Sequence, residues 1–409
     1  MLGPGLITGA ADDDPSGIAT YAQAGARFGY GLGWTLLLTY PLMAAIQAIC
    51  ARIGRISGRG LAANMSRHYP KAWVVSLVTV LCVANILNLG ADLGAMAESA
   101  HLLLPLPQGL YVVIFATFCT LCQVYLQHTR YVAVLKWLTL SLLAYFATAC
   151  IIHVQWTALL QGLIWPRLTD GSQFWSMVVA ILGTTISPYL FFWQAAQEVE
   201  DTKAHPQRQA LIKAPTQAPS AFARIRIDTL VGMGMSNLVG LAILVTAAAT
   251  LHTSGLRQID TAAQAAQALR PLAGDFAYML FALGVISTGL ISVPVLAGSA
   301  AYALGEARGW PVGLSQAPGA AKAFYGAIAA ATVLGALENV FGISPLQALV
   351  WAAILNAVVA VPMMVLVMLM ANHRAIMGRF RISRRLSAAG WGATLVMAAA
   401  SLVFFWTLL

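Results

Sequence analysis

The sequence predicts an all-α polytopic membrane protein, and three observations carry that reading. Of 409 residues, 59% are hydrophobic and only 9% are charged, against roughly 25% charged in an ordinary soluble domain. The apolar residues come in long, nearly unbroken runs of about 20 residues, the length of a membrane-crossing helix, and not in the short alternating segments of an outer-membrane barrel. The Lys and Arg residues fall on alternate connections between those runs. A soluble enzyme, a nucleic-acid-binding domain and a disordered chain are excluded together, because none of them keeps so little charge. The net charge of +9 is a product of membrane topology and carries no implication of nucleic-acid binding.

Eleven spans are expected, near 2–28, 32–57, 72–101, 109–127, 131–154, 173–198, 227–251, 273–303, 320–340, 345–371 and 388–408. The connections are short except 199–226, 252–272 and 304–319; the Pro-, Gln- and Arg-containing stretch 203–226 reads as a solvated loop. With the N-terminus inside, only Arg27, Arg167, Arg257 and Arg270 lie outside, and the other nineteen of the 23 basic residues lie inside. Cytoplasmic loops collect Lys and Arg, so the expected topology is a multi-pass protein of the cell inner membrane, N-terminus cytoplasmic and C-terminus outside. No cleavable signal peptide is expected, because acids interrupt the first apolar run at Asp12. The five cysteines, including the Cys119/Cys122 pair, sit in apolar runs and read as packing residues, not as a zinc or redox motif.

Two spans are interrupted. The first carries Asp12-Asp13-Asp14-Pro15-Ser16-Gly17, and the sixth carries Gly183-Thr184-Thr185-Ile186-Ser187-Pro188-Tyr189. Proline removes a backbone donor and glycine permits unusual dihedrals, so both helices are expected to unwind there. A carboxylate at membrane depth costs at least about 2.5 kcal/mol on insertion scales, and persists where it has a partner or a function. Breaks in spans one and six are the spacing of two five-helix inverted repeats with a binding site between the broken helices. The repeats would cover 1–154 and 173–371, with 388–408 an added helix, all in a single transporter domain 1–409. Freed carbonyls and the negative end of a half-helix, beside a carboxylate, suit a cation; a simple proline kink for packing is the bland alternative.

The stretch GPGLITGAADDDPSGIATYAQAGARFGY resembles the first helix of the Nramp family of divalent-metal transporters, which have the LeuT-type inverted-repeat fold. The resemblance continues through ARIGRISGRGLA, GADLGAMAES and TISPYLFFW and spans essentially the whole chain. The family's first-helix motif, Asp-Pro-Gly-Asn, reads Asp14-Pro15-Ser16-Gly17 here, and its Met-Pro-His motif reads Ser187-Pro188-Tyr189. The resemblance implies a metal site at Asp14, Gly17, Thr184 and Ser187, with Gly17 in place of the asparagine, Ser187 in place of the methionine and Thr184 supplying a carbonyl. A thioether favours softer ions over Mg²⁺. Its loss leaves a wider, all-oxygen site suited to Mg²⁺, which keeps several waters. The pattern is similar to the Nramp-related magnesium transporter branch.

Around that site, Asp13, Asn88, Asp92, Gln194 and Asn356 are candidates for a second layer or an ion path. Asn85, Asn88 and Asp92 share one face of span three. Successive residues on a helix point about 100° apart, so Asp12 and Asp13 cannot face the same ion as Asp14; Asp13 ranks slightly above Asp12. Gly3, Gly5 and Gly9 would allow close packing and hinge motion of span one. The family's proton-route histidines are replaced by Tyr189 and Gln194, and all seven histidines fall at loops or helix ends. Uncoupled uptake is therefore expected: a divalent ion entering at −100 mV gains about 4.6 kcal/mol from the potential alone. Asp92, which survives from the family's acidic pair, is the residue that could contradict this.

The expected function is alternating-access uptake of Mg²⁺, with Mn²⁺ possible as a transported ion and no resident cofactor. The expected partners are a divalent cation and the lipid bilayer, with no nucleic acid and a monomer favoured. The alternatives are a proton-coupled Mn²⁺/Fe²⁺ transporter, an organic-solute transporter, which three acids at the first break argue against, and an intramembrane enzyme using Asp14 with Asp92 or Asp228. No Ser/His or His-rich motif at membrane depth supports the enzyme. Asp228, beside Arg226 at a predicted helix edge, reads more simply as part of a surface ion pair.

Overall fold

A computed structural model describes residues 4–125, 142–166, 168 and 171–407. Gly3, Arg130, Lys136, Arg167 and residues 131–141 of the predicted fifth span lie outside the described residues. Everything described is helical or irregular, with no strand among the described residues.

The first span is two helices, α1 (Pro4–Asp12) and α2 (Pro15–Phe28), separated by extended backbone at Asp14 (φ −69°, ψ 168°). A 3₁₀ turn at Gly29–Leu32 leads directly into α3 (Gly33–Ser57), so the predicted gap near residue 30 is a helical link. Next come a short α4 (Leu61–His68), α5 (Lys71–His101) and α6 (Gln108–Tyr125). Of the predicted fifth span, residues 142–154 are described and contain α7 (Leu143–Ile151), followed by an unanticipated helix, α8 (Trp156–Ile164). The sixth span is again two helices, α9 (Ser172–Thr185) and α10 (Pro188–Ala204).

α11 (Ala218–Ala247) runs on through a π-turn to His252. It begins nine residues before the predicted edge of 227, because Arg224 and Arg226 lower the local hydropathy without breaking the helix beyond the bilayer. The stretch expected as a solvated loop is thus partly helix. The rest is tied down by Arg55, which donates to the Gln209 carbonyl and, at 2.9 Å, to Gln217 Oε1. The connection 252–272, likewise expected as a loop, contains a capped helical turn at Ala262–Ala266. The chain closes with α12 (Ala277–Arg308), α13 (Lys322–Glu338), α14 (Pro345–Asn372) and α15 (Arg384–Trp406). α6 and α13 pack side by side against α5.

Residues from the loops assigned to the inside meet at one end: Phe222 packs edge-on to Phe380, with the Arg52 guanidinium over the Phe222 ring. The opposite end gathers Phe28, Tyr30, Gln155 and His252. The outward faces between them are apolar, with Val113, Leu121, Leu334 and Leu395 all exposed, as expected where lipid is the solvent.

The buried apolar residues form two large cores. One joins Ile18, Tyr21, Ile49, Ile181, Ile186, Met233 and Met364. The other joins Ala11, Leu89, Trp193, Leu296, Tyr302 and Phe324. Both helix breaks lie where these cores meet: Ala11 and Tyr189 belong to the second, Ile18 and Ile186 to the first.

Candidate functional site

The two breaks have a clear local cause. Pro15 and Pro188 each sit at the first position of a helix, where the missing N–H costs nothing, and each forces the preceding residue out of helical geometry. Asp14 and Ser187 are those residues, and both are extended. Asp14 caps α2: its Oδ1 accepts from Gly17 N at 2.8 Å and from Ser16 Oγ at 2.6 Å. Ser187 serves the other side of its break, donating to the Gly183 carbonyl at 2.7 Å and the Thr184 carbonyl at 3.0 Å. Those are carbonyls that the end of α9 leaves without a helical partner.

The breaks touch each other. Ser16 Oγ lies 3.1 Å from Thr184 Oγ1, and Tyr189 OH donates to Ala11 O at 3.1 Å and to Asp14 Oδ2 at 3.2 Å. From α5, Asn88 Nδ2 reaches Asp14 Oδ2 at 3.4 Å. The Asp14 carboxylate, 1% exposed, therefore has donors for about all of its four lone-pair positions. They are supplied by three chain segments. Its tightest bonds are local and on Oδ1; the longer, inter-helix bonds are on Oδ2.

The structure thus brings Asp14, Gly17, Thr184, Ser187 and Asn88 together, and adds two residues that sequence reasoning did not assign to the site. Ser16 links the carboxylate to Thr184, and Tyr189 bridges the two breaks. A serine two residues after a capping aspartate was a readable signal for the first; only the fold reveals the second. Gly17 offers the site its backbone N–H and space: a Cβ there would meet Tyr21, Thr184 Oγ1 and the Asp12 carbonyl at 3.4 to 3.6 Å, ordinary contact distances.

The other candidates are spread around this centre. Asp92 Oδ2 accepts from Ser292 Oγ at 2.6 Å, and its Oδ1 has no partner. Asn85 donates to Leu296 O at 3.1 Å, so in the predicted stripe on α5 Asn85 and Asp92 form a polar seam against α12, while Asn88 faces Asp14. Gln194 accepts from Thr8 and ties α10 to α1. Asn356 is fully buried with neither amide atom partnered. It lies in the turn of α14 that packs on Gly183, whose flanking residues Ala353 and Ala357 leave no room there for a side chain. Asp13 is partly exposed, whereas Asp12 is buried and accepts from Ser236 Oγ of α11 at 2.6 Å.

Asp228 corrects an expectation. It is 2% exposed, and its Oδ2 accepts from Gly5 N at 2.6 Å, so it is no surface ion pair. A carboxylate at the positive end of α1 is favourably placed, and it pins that half-helix to α11. Cys119 and Cys122 are buried and form no disulfide, in keeping with packing residues. Among the described residues, no group of three or more His, Cys, Asp and Glu side chains has metal-holding geometry. Any cation here would be met mainly by hydroxyls, carbonyls and water around one carboxylate.

Residues 5–407 match the family described as natural resistance-associated macrophage protein-like, Nramp. The divalent metal cation transporter MntH of Aeromonas hydrophila is 27% identical over 304 residues, covering 72% of this chain and 70% of that protein. MntH of Deinococcus radiodurans is 30% identical over 304 residues, covering 72% of this chain and 66% of that protein. Among solved structures, the Eremococcus coleocola manganese transporter aligns with a TM-score of 0.79 over 98% of this chain and 85% of that one, at 16% identity. Mhp1, a nucleobase-cation-symport-1 family transporter, aligns with a TM-score of 0.58 over 100% of this chain and 92% of that one, at 15% identity. The shared architecture is the LeuT-type fold of broken helices crossing at a central site.

Proposed function

Because this chain belongs to the Nramp family, we propose that it carries divalent metal cations across the inner membrane by alternating access, with Mg²⁺ as the principal ion and without proton coupling. The observation that carries the reading is the Asp14 carboxylate held between two helix breaks by oxygen and amide groups alone. Its partners are Ser16, Gly17, Asn88 and Tyr189, and none is a sulfur. Hard oxygen ligands with space for retained water suit Mg²⁺, and the absence of a thioether removes a preference for softer ions.

The ion enters on the Oδ2 side. There the bonds from Asn88 and Tyr189 are the longest that Asp14 makes, and both donors can turn to a water of the hydrated ion instead. Thr184 and Ser187 hydroxyls and the Thr184 carbonyl complete the shell through water. The two apolar cores supply the moving bodies. The breaks lie on their seam, so one core can rock against the other while φ and ψ change at Asp13–Asp14 and Ile186–Ser187. The inverted repeats 1–154 and 173–371 and a cytoplasmic N-terminus fit the clustering of basic loops at one end.

The test is influx into proteoliposomes under an imposed potential, with Mg²⁺ and pH dyes inside. Mg²⁺ entry without acidification is the expected result, in wild type and in Asp92→Asn alike. Proton entry that tracks the metal and vanishes in Asp92→Asn would establish coupled transport instead. Selectivity is tested by the double variant Gly17→Asn/Ser187→Met. A Cβ at Gly17 makes only ordinary contacts, and the added amide and thioether should shift competition at least tenfold, about 1.4 kcal/mol, toward Mn²⁺ over Mg²⁺. An unchanged Mg²⁺/Mn²⁺ ratio would mean that these two positions do not set selectivity.

A further inference from the structure

A second cavity, of about 480 Å³, opens at the end of the molecule where the basic loops gather, between α4 and the ends of α10 and α12. Four cations line it, Arg59, Arg67, Lys203 and Arg308, with two acids, Glu200 and Glu306. Both acids are already committed. Glu200 pairs with Lys203 at 3.8 Å and accepts from Ser315 Oγ at 2.6 Å. Glu306 accepts from Ala63 N at 3.2 Å at the start of α4, and its carboxylate occupies the place where any side chain on residue 60 would stand, which is why Gly60 is there.

Three guanidinium groups are left without a carboxylate among the described residues. Arg308 lies over the Trp310 ring at 6.0 Å, and no ion pair involves Arg59 or Arg67. Partial burial and the neighbouring Arg67 charge both lower the Arg59 pKa from its ordinary value. That surplus of positive charge favours an anion over a divalent cation in the cavity. Arginine forks match phosphate oxygens bidentately, and the volume lies within the range of small-ligand pockets.

We propose that this cavity binds a phosphate group, carried either by a soluble polyphosphate or by a phospholipid headgroup. The phosphate sits between Arg59 and Arg67, and Arg308 and Trp310 form the far wall. The site is separate from the transport site and does not depend on which ion is carried. Its ligand bridges the α3–α5 connection to the ends of α10 and α12, which belong to different parts of the fold.

Two measurements on detergent-purified full-length protein test the proposal. Calorimetric titration with sodium pyrophosphate, without divalent metal, reads the soluble source. Native mass spectrometry after adding equal phosphatidylglycerol and phosphatidylcholine reads the lipid source. Saturable binding is expected in at least one arm, and which arm identifies the source. It should weaken at least about tenfold in Arg59→Gln/Arg67→Gln and in Arg308→Gln, but not in Lys71→Gln, whose exposed cation lies nearby and outside the cavity. Two independent variants guard against one failing to fold. No binding in either arm, or an equal loss in Lys71→Gln, would overturn the proposal.

Discussion

Asp14→Ala is expected to abolish metal influx, leaving only the leak of empty liposomes, and to destabilise the protein as well. Alanine cannot cap α2, a loss of about 0.5–2 kcal/mol, and it strands the Ser16, Asn88 and Tyr189 donors that converge on the carboxylate. Those two effects must be separated, and Asp14→Asn separates them. Asparagine caps as well as aspartate, its carbonyl oxygen can keep the Gly17 and Ser16 bonds on the Oδ1 side, and Asn88 can turn its amide to match. Asp14→Asn should therefore keep a thermal midpoint near wild type and still lose influx, because no negative charge remains to hold a divalent ion. Substantial influx through a folded Asp14→Asn protein would remove Asp14 from the ion site and leave it a helix cap.

The second large effect is expected at Gly9. A Cβ on this residue would drive into the backbone of Gly232 on α11, coming within 2.8 Å of its Cα and closer still to its carbonyl. Gly9→Val must lift α1 away from α11. That motion strains the bond from Gly5 N to Asp228 and the bond from Thr8 to Gln194, which hold the first half-helix in place. Overpacking of this kind typically costs about 1–3 kcal/mol and sometimes more. The expected result is a clearly lowered thermal midpoint together with loss of transport. A Gly9→Val protein with an unchanged midpoint and full influx would show that α1 does not pack here as described.

These two sites also show what was legible beforehand. The breaks could be read because Pro15 and Pro188 act on their immediate neighbours, a local rule that needs no fold. The candidate ligands came from the resemblance of the two break motifs to those of the Nramp family, matched residue by residue. The separate fates of Asp12, Asp13 and Asp14 were not legible. Their directions differ by helical steps, but which step meets Ser236 and which meets Asn88 depends on how α11 and α5 pack. Asp228 failed for the same reason: its neighbour Arg226 suggested a pair in sequence, while its actual partner, Gly5, is 223 residues away. Gly9 was marked as a packing or hinge glycine, but its opposite number, Gly232, could come only from the structure. The early start of α11 was hidden because hydropathy reports the lipid, and the helix continues beyond it.

The length of α5 has a consequence for the surrounding membrane. At 1.5 Å per residue, the 31 residues of Lys71–His101 reach about 46 Å, well beyond the roughly 30 Å hydrocarbon thickness of a typical bilayer. Such a helix must tilt or project past the hydrocarbon, and mismatch costs fractions of a kcal/mol per ångström. Acyl-chain length then becomes a control on turnover, because a change in the tilt of α5 moves Asn88 relative to Asp14.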